Sequence, residues 1–293
     1  LSDAIIQVQN LSYIYAAKRD AALRRPALLD ISLEIERGSC AAIIGVTGSG
    51  KSTLVQHFNG LLLPTSGTVI VDGIEVGTRA SELPRLRQLV GLLFQFPEAQ
   101  LFERTIFADV AFGPQHLHLT RQEVRSRVMR ALEMVGLPPR EYAHRSPFGL
   151  SGGQQRRVAL ASVLAMHPGI LILDEPGVGL DAEGKDEFYH CIQSLRRQGI
   201  TVVLISHDMA EVASLADRLF VLHLGNLVLQ GTPREVFTQP EVLRDHGLAP
   251  PPLSSLLMQL RRRGLPVPAD IMTIDEAFAY IAREKRIDVP SQP

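Results

Sequence analysis

The octapeptide Gly45-Val46-Thr47-Gly48-Ser49-Gly50-Lys51-Ser52 constrains this chain more than any other feature, because it lies between the apolar run Ala41–Ile44 and a helical run from Ser52 to Leu62. A strand feeding a glycine-rich turn and then a helix is the setting in which G-x-x-x-x-G-K-[ST] binds phosphate. Gly48 and Gly50 let the backbone curl so that successive N–H groups point at phosphate oxygens, with Gly45 at the mouth of the phosphate-binding loop, and the helix that follows adds its positive end. Lys51 is placed to reach the β and γ phosphates and the Ser52 hydroxyl to bind Mg²⁺, with Ser49 and Thr53 in the same binding turn. With glycine at about 7% of residues, a chance match in a chain of this length has a probability of about one per cent.

A second segment completes the chemistry. Ile170-Leu171-Ile172-Leu173-Asp174-Glu175 is an apolar strand ending in two carboxylates. The C-terminal ends of strands are where open α/β sheets bind ligands, so Asp174 is expected on the metal and Glu175 on the attacking water. Other short apolar runs, Ile5 to Val8, Thr68 to Val71, Val90 to Phe94 and Val202 to Ile205, alternate with helical stretches. Several are apolar on consecutive residues, the pattern of parallel strands covered on both faces. Arg218 to Gln230 reads as a hairpin around Gly225-Asn226. Strand signals stop between Phe96 and Leu150, where Thr120-x-x-Glu123 opens an amphipathic stretch with Val124, Val128, Leu132 and Val135 on one face. After Pro240 two short helices are expected, one near Leu253 to Leu260 and one starting at Thr273-x-x-Glu276 with Ile274, Ala277, Phe278 and Ile281 on one face.

Leu150-Ser151-Gly152-Gly153-Gln154, shortly before the Asp174 strand, resembles the signature of ATP-binding-cassette ATPases. Gln95, Gly179-Leu180-Asp181 and His207 occur in that family's order. The resemblance covers Ile5 to Gly231. It implies an α/β fold: a P-loop NTPase (RecA-like) core with an N-terminal antiparallel β subdomain, an inserted α-helical subdomain and a small α-helical C-terminal extension. The ATPase domain is expected over residues 1–240, with the insertion at about 96–165 and the extension over 241–293. By the same resemblance ATP and Mg²⁺ are the cofactors, and Ser52, Asp174 and Gln95 serve the metal. Glu175, His207 and Gln95 act on the water and the γ-phosphate. Ser151 with Gly152, Gly153 and Gln154 meets the γ-phosphate held by another subunit, so one copy cannot complete a site. Asp181 couples the subunits, and Tyr15 stacks on adenine, with Tyr13 as the competing ring. Gly177-Val178 replaces the Thr-Ala that commonly follows the Glu-Pro pair.

Phe94-Gln95-Phe96-Pro97-Glu98-x-Gln100-Leu101-Phe102, with Asp109-x-Ala111-Phe112-Gly113-Pro114 and Gln56-His57-Phe58-Asn59-Gly60-Leu61, resembles the ATPase component of energy-coupling-factor transporters. The Thr47 form of the loop resembles the second of two paired paralogues. The likeness implies uptake of vitamins or other micronutrients. It also implies a second ATPase, paralogue or self, in a head-to-tail dimer, a transmembrane coupling protein and a substrate-binding membrane protein. Glu98, Glu103 and Asp109 are the candidates for docking the coupling protein, and the C-terminal helices for contact between ATPases. A conventional ABC importer ATPase and a soluble ABC protein on nucleic acid are the rival readings. Thirty basic against 31 acidic side chains, net charge -1, exclude a whole-surface attraction to nucleic acid. No apolar run approaches the ~18 residues that span a bilayer, which fits a peripheral subunit on the cytoplasmic face of the cell membrane. Cys40 and Cys191 read as reduced thiols, His116-Leu117-His118 as a polar loop and Arg261-Arg262-Arg263 as a solvated helix end.

Overall fold

The structure, a computed structural model, describes residues 3–15, 26–264, 267–268 and 271–285. Two sheets organise it. The first is antiparallel, in the order β2-β1-β4-β5, and is built from β1 (Ala4–Tyr13), β2 (Leu28–Glu36), β4 (Ser66–Val71) and β5 (Ile74–Glu75). The second has the order β10-β9-β3-β8-β7-β6. Its strands are β3 (Cys40–Ile44), β6 (Val90–Leu93), β7 (Ile170–Asp174), β8 (Thr201–Ile205), β9 (Arg218–His223) and β10 (Asn226–Gly231). β6, β7, β8, β3 and β9 run parallel, and β10 folds back on β9 as the expected hairpin.

Consecutive apolar residues in the second sheet are explained by what covers its faces. Leu171 and Leu173 of β7 pack with the helical insertion, whereas Ile170 and Ile172 pack with the first sheet and the helix Lys51–Phe58. Each of these side chains is fully buried, worth about 1.5–3 kcal/mol apiece. Ala42, Ile44, Leu219 and Val221 form a third cluster with Val236, Phe237, Leu243 and Met272, which anchors the C-terminal helices beside the core.

Two differences from expectation concern strands. β2 is missing from the set of apolar runs, because it alternates: Ile31, Leu33 and Ile35 are buried between exposed Ser32, Glu34 and Glu36. That period of two marks a strand with one face in water. β6 stops at Leu93, leaving Phe94 outside it and 40% exposed.

The insertion consists chiefly of the helices Ile106–Gln115, Arg121–Met134 and Gly152–Leu164. Arg121–Met134 starts as its sequence directs: Glu123 N donates to Thr120 Oγ1 at 3.3 Å and Thr120 N to Glu123 Oε2 at 2.7 Å. Val124, Val128, Leu132 and Val135 are all buried. The tail forms the helices Pro252–Arg262 and Ile274–Lys285. Glu276 caps the second and pairs with Arg234 of the helix Pro233–Phe237.

Candidate active site

The glycines of the phosphate loop meet two different demands. Gly50 has φ 107°, and a Cβ there would lie 2.7 Å from the Ala27 carbonyl oxygen. Gly45 has φ 156°, and a Cβ would run into the Leu222 carbonyl and the Ser49 hydroxyl. Left-handed backbone and close approach together exclude side chains at both positions. Gly50 caps the helix Lys51–Phe58 without a side-chain acceptor, so N–H groups at its start are left for a ligand. The Ser49 hydroxyl is buried and makes no hydrogen bond among the described residues.

Lys51 Nζ donates to the Gly45 and Val46 carbonyls at 2.8 and 3.2 Å. Burial draws its pKa down, against the pull of Glu175 and Asp174. Ser52 Oγ donates to Asp174 Oδ2 at 2.9 Å, joining residues 122 apart in sequence. Burial pushes the Asp174 carboxyl up, and neither the Ser52 hydrogen bond nor Lys51 offsets it. A buried carboxylate beside a hydroxyl, short of positive charge, is a hard-oxygen donor set that suits Mg²⁺.

Glu175 follows with φ 53°, an uncommon conformation for a glutamate. It directs the carboxylate toward His207, whose Nδ1 hydrogen-bonds Glu175 Oε2. Lys51, Gln95, Glu175 and His207 line one cleft of about 1140 Å³. Tyr15 is half-exposed at the start of the same helix, its hydroxyl 3.0 Å from Thr53 Oγ1. Tyr13 packs between His57 and Tyr15, edgewise to both at 4.9 Å between centroids, whereas Tyr15 has only Tyr13 as a ring neighbour among the described residues. Of the two rings, Tyr15 is therefore the one beside the phosphate loop with a face to offer.

The signature residues stand apart. The cleft lining includes none of Ser151, Gly152, Gly153 or Gln154. Ser151 caps the helix Gly152–Leu164, accepting from Gln154 N at 3.3 Å while Ser151 N donates to Gln154 Oε1 at 3.2 Å. Asp181 likewise accepts from Gly184 N at 2.9 Å at the start of the helix Ala182–Arg197 and is exposed.

One docking expectation is corrected. Asp109 is only 4% exposed, and its carboxylate accepts from the Phe102 and Glu103 N–H groups at 3.1 and 3.2 Å. It holds the loop before its own helix and is not available to a partner's cation. Glu103 is partly exposed; the Glu98 side chain lies outside the described residues.

Several contributors carry no motif. Gly247, Leu248, Ala249 and Pro250 line the nucleotide cleft from the C-terminal side. Arg156, inside the signature helix, donates to the Pro176 and Val178 carbonyls at 2.7 and 2.6 Å, fixing the loop that leads to Asp181. The signal the sequence offers is an arginine three, four and seven residues before Ala159, Leu160 and Val163, on an otherwise apolar helix face.

The ABC transporter family model matches residues 28–178. A solved structure described as the dimeric post-hydrolysis state of the ATP-binding cassette MJ0796 bound to ADP and Pi superimposes with a TM-score of 0.69. It is 29% identical, and the match covers 78% of this chain and 98% of that one. Fold and site thus define an ABC-type ATPase.

The structure of cbiO1 from Clostridium perfringens, described as part of the ABC transporter complex cbiONQ, matches with a TM-score of 0.73 and 38% identity, over 83% of this chain and 94% of that one. The energy-coupling factor transporter ATP-binding protein EcfA2 of Symbiobacterium thermophilum is 52% identical, over 94% of this chain and 95% of the relative. Its namesake from Caldanaerobacter subterraneus subsp. tengcongensis is 47% identical, over 96% and 98%. The chain belongs to the family of ATP-binding subunits of energy-coupling factor transporters, ATP hydrolases coupled to transport. Among the described residues no helix is long and apolar enough to cross a membrane.

Proposed function

We propose that this subunit hydrolyses ATP by in-line attack of water at composite sites in a head-to-tail pair of ATPases. The pair stands on the cytoplasmic face of the membrane and drives a transmembrane coupling protein joined to a separate substrate-binding protein. The cargo on this reading is a vitamin or another micronutrient. The observation that carries the chemistry is a cleft lined by Lys51, Gln95, Glu175 and His207, with Glu175 bonded to His207 and with Ser52, next to Lys51 in the chain, bonded to Asp174, next to Glu175.

In this reading Lys51 neutralises the β and γ phosphates and the N–H groups of Gly48 and Gly50 bind them, with Ser49 and Thr53 in the same binding turn, and Tyr15 stacks on the base. Ser52 and Asp174, with Gln95, would hold Mg²⁺, which when bound supplies charge neutralisation across the phosphates. Glu175 takes the proton of the attacking water. His207, now on the Glu175 carboxylate, turns its ring to donate to the γ-phosphate when ATP arrives. The Ser151 oxygen already accepts a cap hydrogen bond, but its O–H proton remains free to donate to the partner's γ-phosphate, beside the Gly152 and Gly153 N–H groups. Asp181 contacts the other subunit at the same seam.

A groove of about 370 Å³ supports docking of the coupling protein. Phe94, Phe102, Phe112 and Met166 line it, next to exposed Phe96. Aromatic side chains around a concave surface beside Gln95 suit an amphipathic helix, with partly exposed Glu103 at the rim as the cation acceptor. Ile274, Phe278 and Ile281 form an exposed stripe along the last helix, which supports contact between ATPases through the extension.

Glu175→Gln tests the core of the reading. Hydrolysis should fall by at least about a hundredfold, as expected for loss of a general base, while ATP still drives pairing of the subunits. Unchanged turnover would remove Glu175 as the base. Purification from membranes with identification of the co-purifying proteins tests the partners.

A further inference from the structure

Gly177, two residues beyond Glu175, is not a glycine for reasons of backbone conformation, since its φ is not positive. It is a glycine for reasons of space. A Cβ built there would lie 2.5 Å from the Tyr189 hydroxyl and 2.6 Å from Glu211 Oε1. Tyr189 comes from the helix Ala182–Arg197 and Glu211 from Met209–Leu215, so three segments converge on one Cα.

Both polar atoms are buried and within reach of each other, and neither makes a hydrogen bond of good geometry among the described residues. Glu211 Oε1 has the Lys185 ammonium at 3.3 Å. Burial, and then the Glu211 carboxylate, push the Tyr189 phenol far up, so it keeps its proton and can only approach that carboxylate as a donor. A poorly aligned hydrogen bond between a buried hydroxyl and a buried carboxylate is costly. A small movement of the loop beneath them would complete it.

Glu211 leads directly to the hydrolytic side chains. Its other oxygen accepts from Ser206 Oγ at 2.8 Å, next to His207, and Lys185 ties Asp208 to the same cluster at 3.2 Å. From below, Arg156 holds the carbonyls on either side of Gly177. The cluster therefore joins the segment after Glu175 to the segment carrying His207.

We propose that Tyr189 is a positioning residue for ATP hydrolysis: its hydroxyl, seated in the space Gly177 leaves, bonds Glu211 when the site closes and locks the Glu175 and His207 segments together. The inference rests on the roles of those two residues proposed above. Gly177 and Tyr189 form a matched pair, the hydroxyl arriving from the helix because the loop has no side chain to supply one.

The test measures kcat, ATP Kd and melting temperature of the assembled transporter carrying Tyr189→Phe, Tyr189→Leu, Gly177→Thr, or Gly177→Thr with Tyr189→Leu. Tyr189→Phe keeps the ring. It should lower kcat about tenfold, as for one hydrogen bond to a charged group, with Kd unchanged. Melting should change little, since the hydroxyl removed is poorly bonded before the site closes. Gly177→Thr should lower kcat at least as much by overpacking. The double variant should recover most of the loss, because a threonine hydroxyl then fills the vacated space.

Parental kcat in Tyr189→Phe would overturn the proposal, as would losses that simply add in the double variant. If Gly177→Thr fails to fold, Tyr189→Phe decides alone. Glu175→Gln run in parallel separates the two readings: intact hydrolysis there overturns the role of Glu175, whereas abolished hydrolysis beside a normal Tyr189→Phe overturns only the positioning role.

Discussion

Two helices of this protein begin at the points proposed for phosphate, and they begin differently. The helix Lys51–Phe58 starts at Gly50, which offers no side-chain cap. The helix Gly152–Leu164 starts at Ser151, whose oxygen is occupied by its own chain in a reciprocal box with Gln154. The first leaves its donors unsatisfied and surrounds them with Lys51, Asp174 and Glu175, so it gains most when a nucleotide arrives. The second is capped by its own chain and leaves its first N–H groups and one hydroxyl proton outside its own cleft. That difference suits the division between a subunit that holds ATP and a neighbour that completes its cage.

The largest effect should follow from spoiling the first start. Gly50→Ala must place a side chain at φ 107° and against the Ala27 carbonyl. ATP affinity should fall about a hundredfold, ~2.7 kcal/mol, and backbone strain of about 1–3 kcal/mol should lower the melting temperature. Equilibrium dialysis with labelled ATP and thermal unfolding check both. Binding that survives would mean the loop does not cradle phosphate.

Asp174→Asn should leave ATP bound but reduce Mg²⁺-dependent hydrolysis by about a hundredfold, in keeping with the several kcal/mol a metal's charge supplies. Because burial raises the Asp174 pKa, protons compete with the cation from a higher pH than at an ordinary aspartate. Mg²⁺ affinity should drop as pH falls through that raised value, by about tenfold per unit below it. The substitution should flatten this dependence. Without metal the sign reverses for stability. The folded carboxyl holds its proton more tightly than the unfolded one, so its ionised form costs stability above the raised pKa, and the cost fades as pH falls. Asp174→Asn should therefore melt at or above the parent's temperature at neutral pH without Mg²⁺. A lower melting temperature would show that the carboxylate is well satisfied without metal.

How much of this could be read in the chain depends on whether a feature is local. The phosphate loop, the Asp174 strand and the Thr120 and Thr273 boxes were legible because each is a short pattern whose geometry follows from near neighbours in sequence. β2 was readable as alternation but not as an apolar run, since one of its faces is in water. Asp109 was misjudged for the opposite reason: nothing in its type distinguishes a carboxylate that docks a partner from one that holds the N–H groups of Phe102 and Glu103. The Ser52–Asp174 contact, the Arg156 bonds to Pro176 and Val178, and the space over Gly177 join residues that only the fold brings together.

The second helix start should respond more mildly. Ser151→Ala loses the cap and should cost about 0.5–2 kcal/mol of stability. It should leave ATP affinity of the single chain unchanged and slow hydrolysis of the paired subunits by about tenfold, the worth of one hydrogen bond to a charged group. Ser151→Asn should restore the stability, since asparagine caps as well, but not the hydrolysis, because it replaces a hydroxyl donor with a longer amide. Titrating ATP into the dilute subunit and assaying turnover at dimer-forming concentration separates the two quantities. A fall in single-chain affinity would place Ser151 in its own chain's site and erase the contrast between the two helices.

The smallest effect is expected at Tyr15, where the ring lies half-exposed beside Thr53. Tyr15→Phe removes the hydroxyl contact at 3.0 Å and keeps the stacking face, so ATP affinity should change by less than about twofold, as for an exposed hydrogen bond. Tyr15→Ala removes the face and should weaken ATP by about three- to tenfold, the range for an aromatic stacking pair. The affinity of inorganic triphosphate, which has no base to stack, should not move in either variant. That comparison divides the first site in its turn: the helix start and Lys51 hold the phosphates, while Tyr15 reports only on the base. If triphosphate and ATP weaken together in Tyr15→Ala, the ring is supporting the helix Lys51–Phe58 through Thr53 and is not an adenine platform.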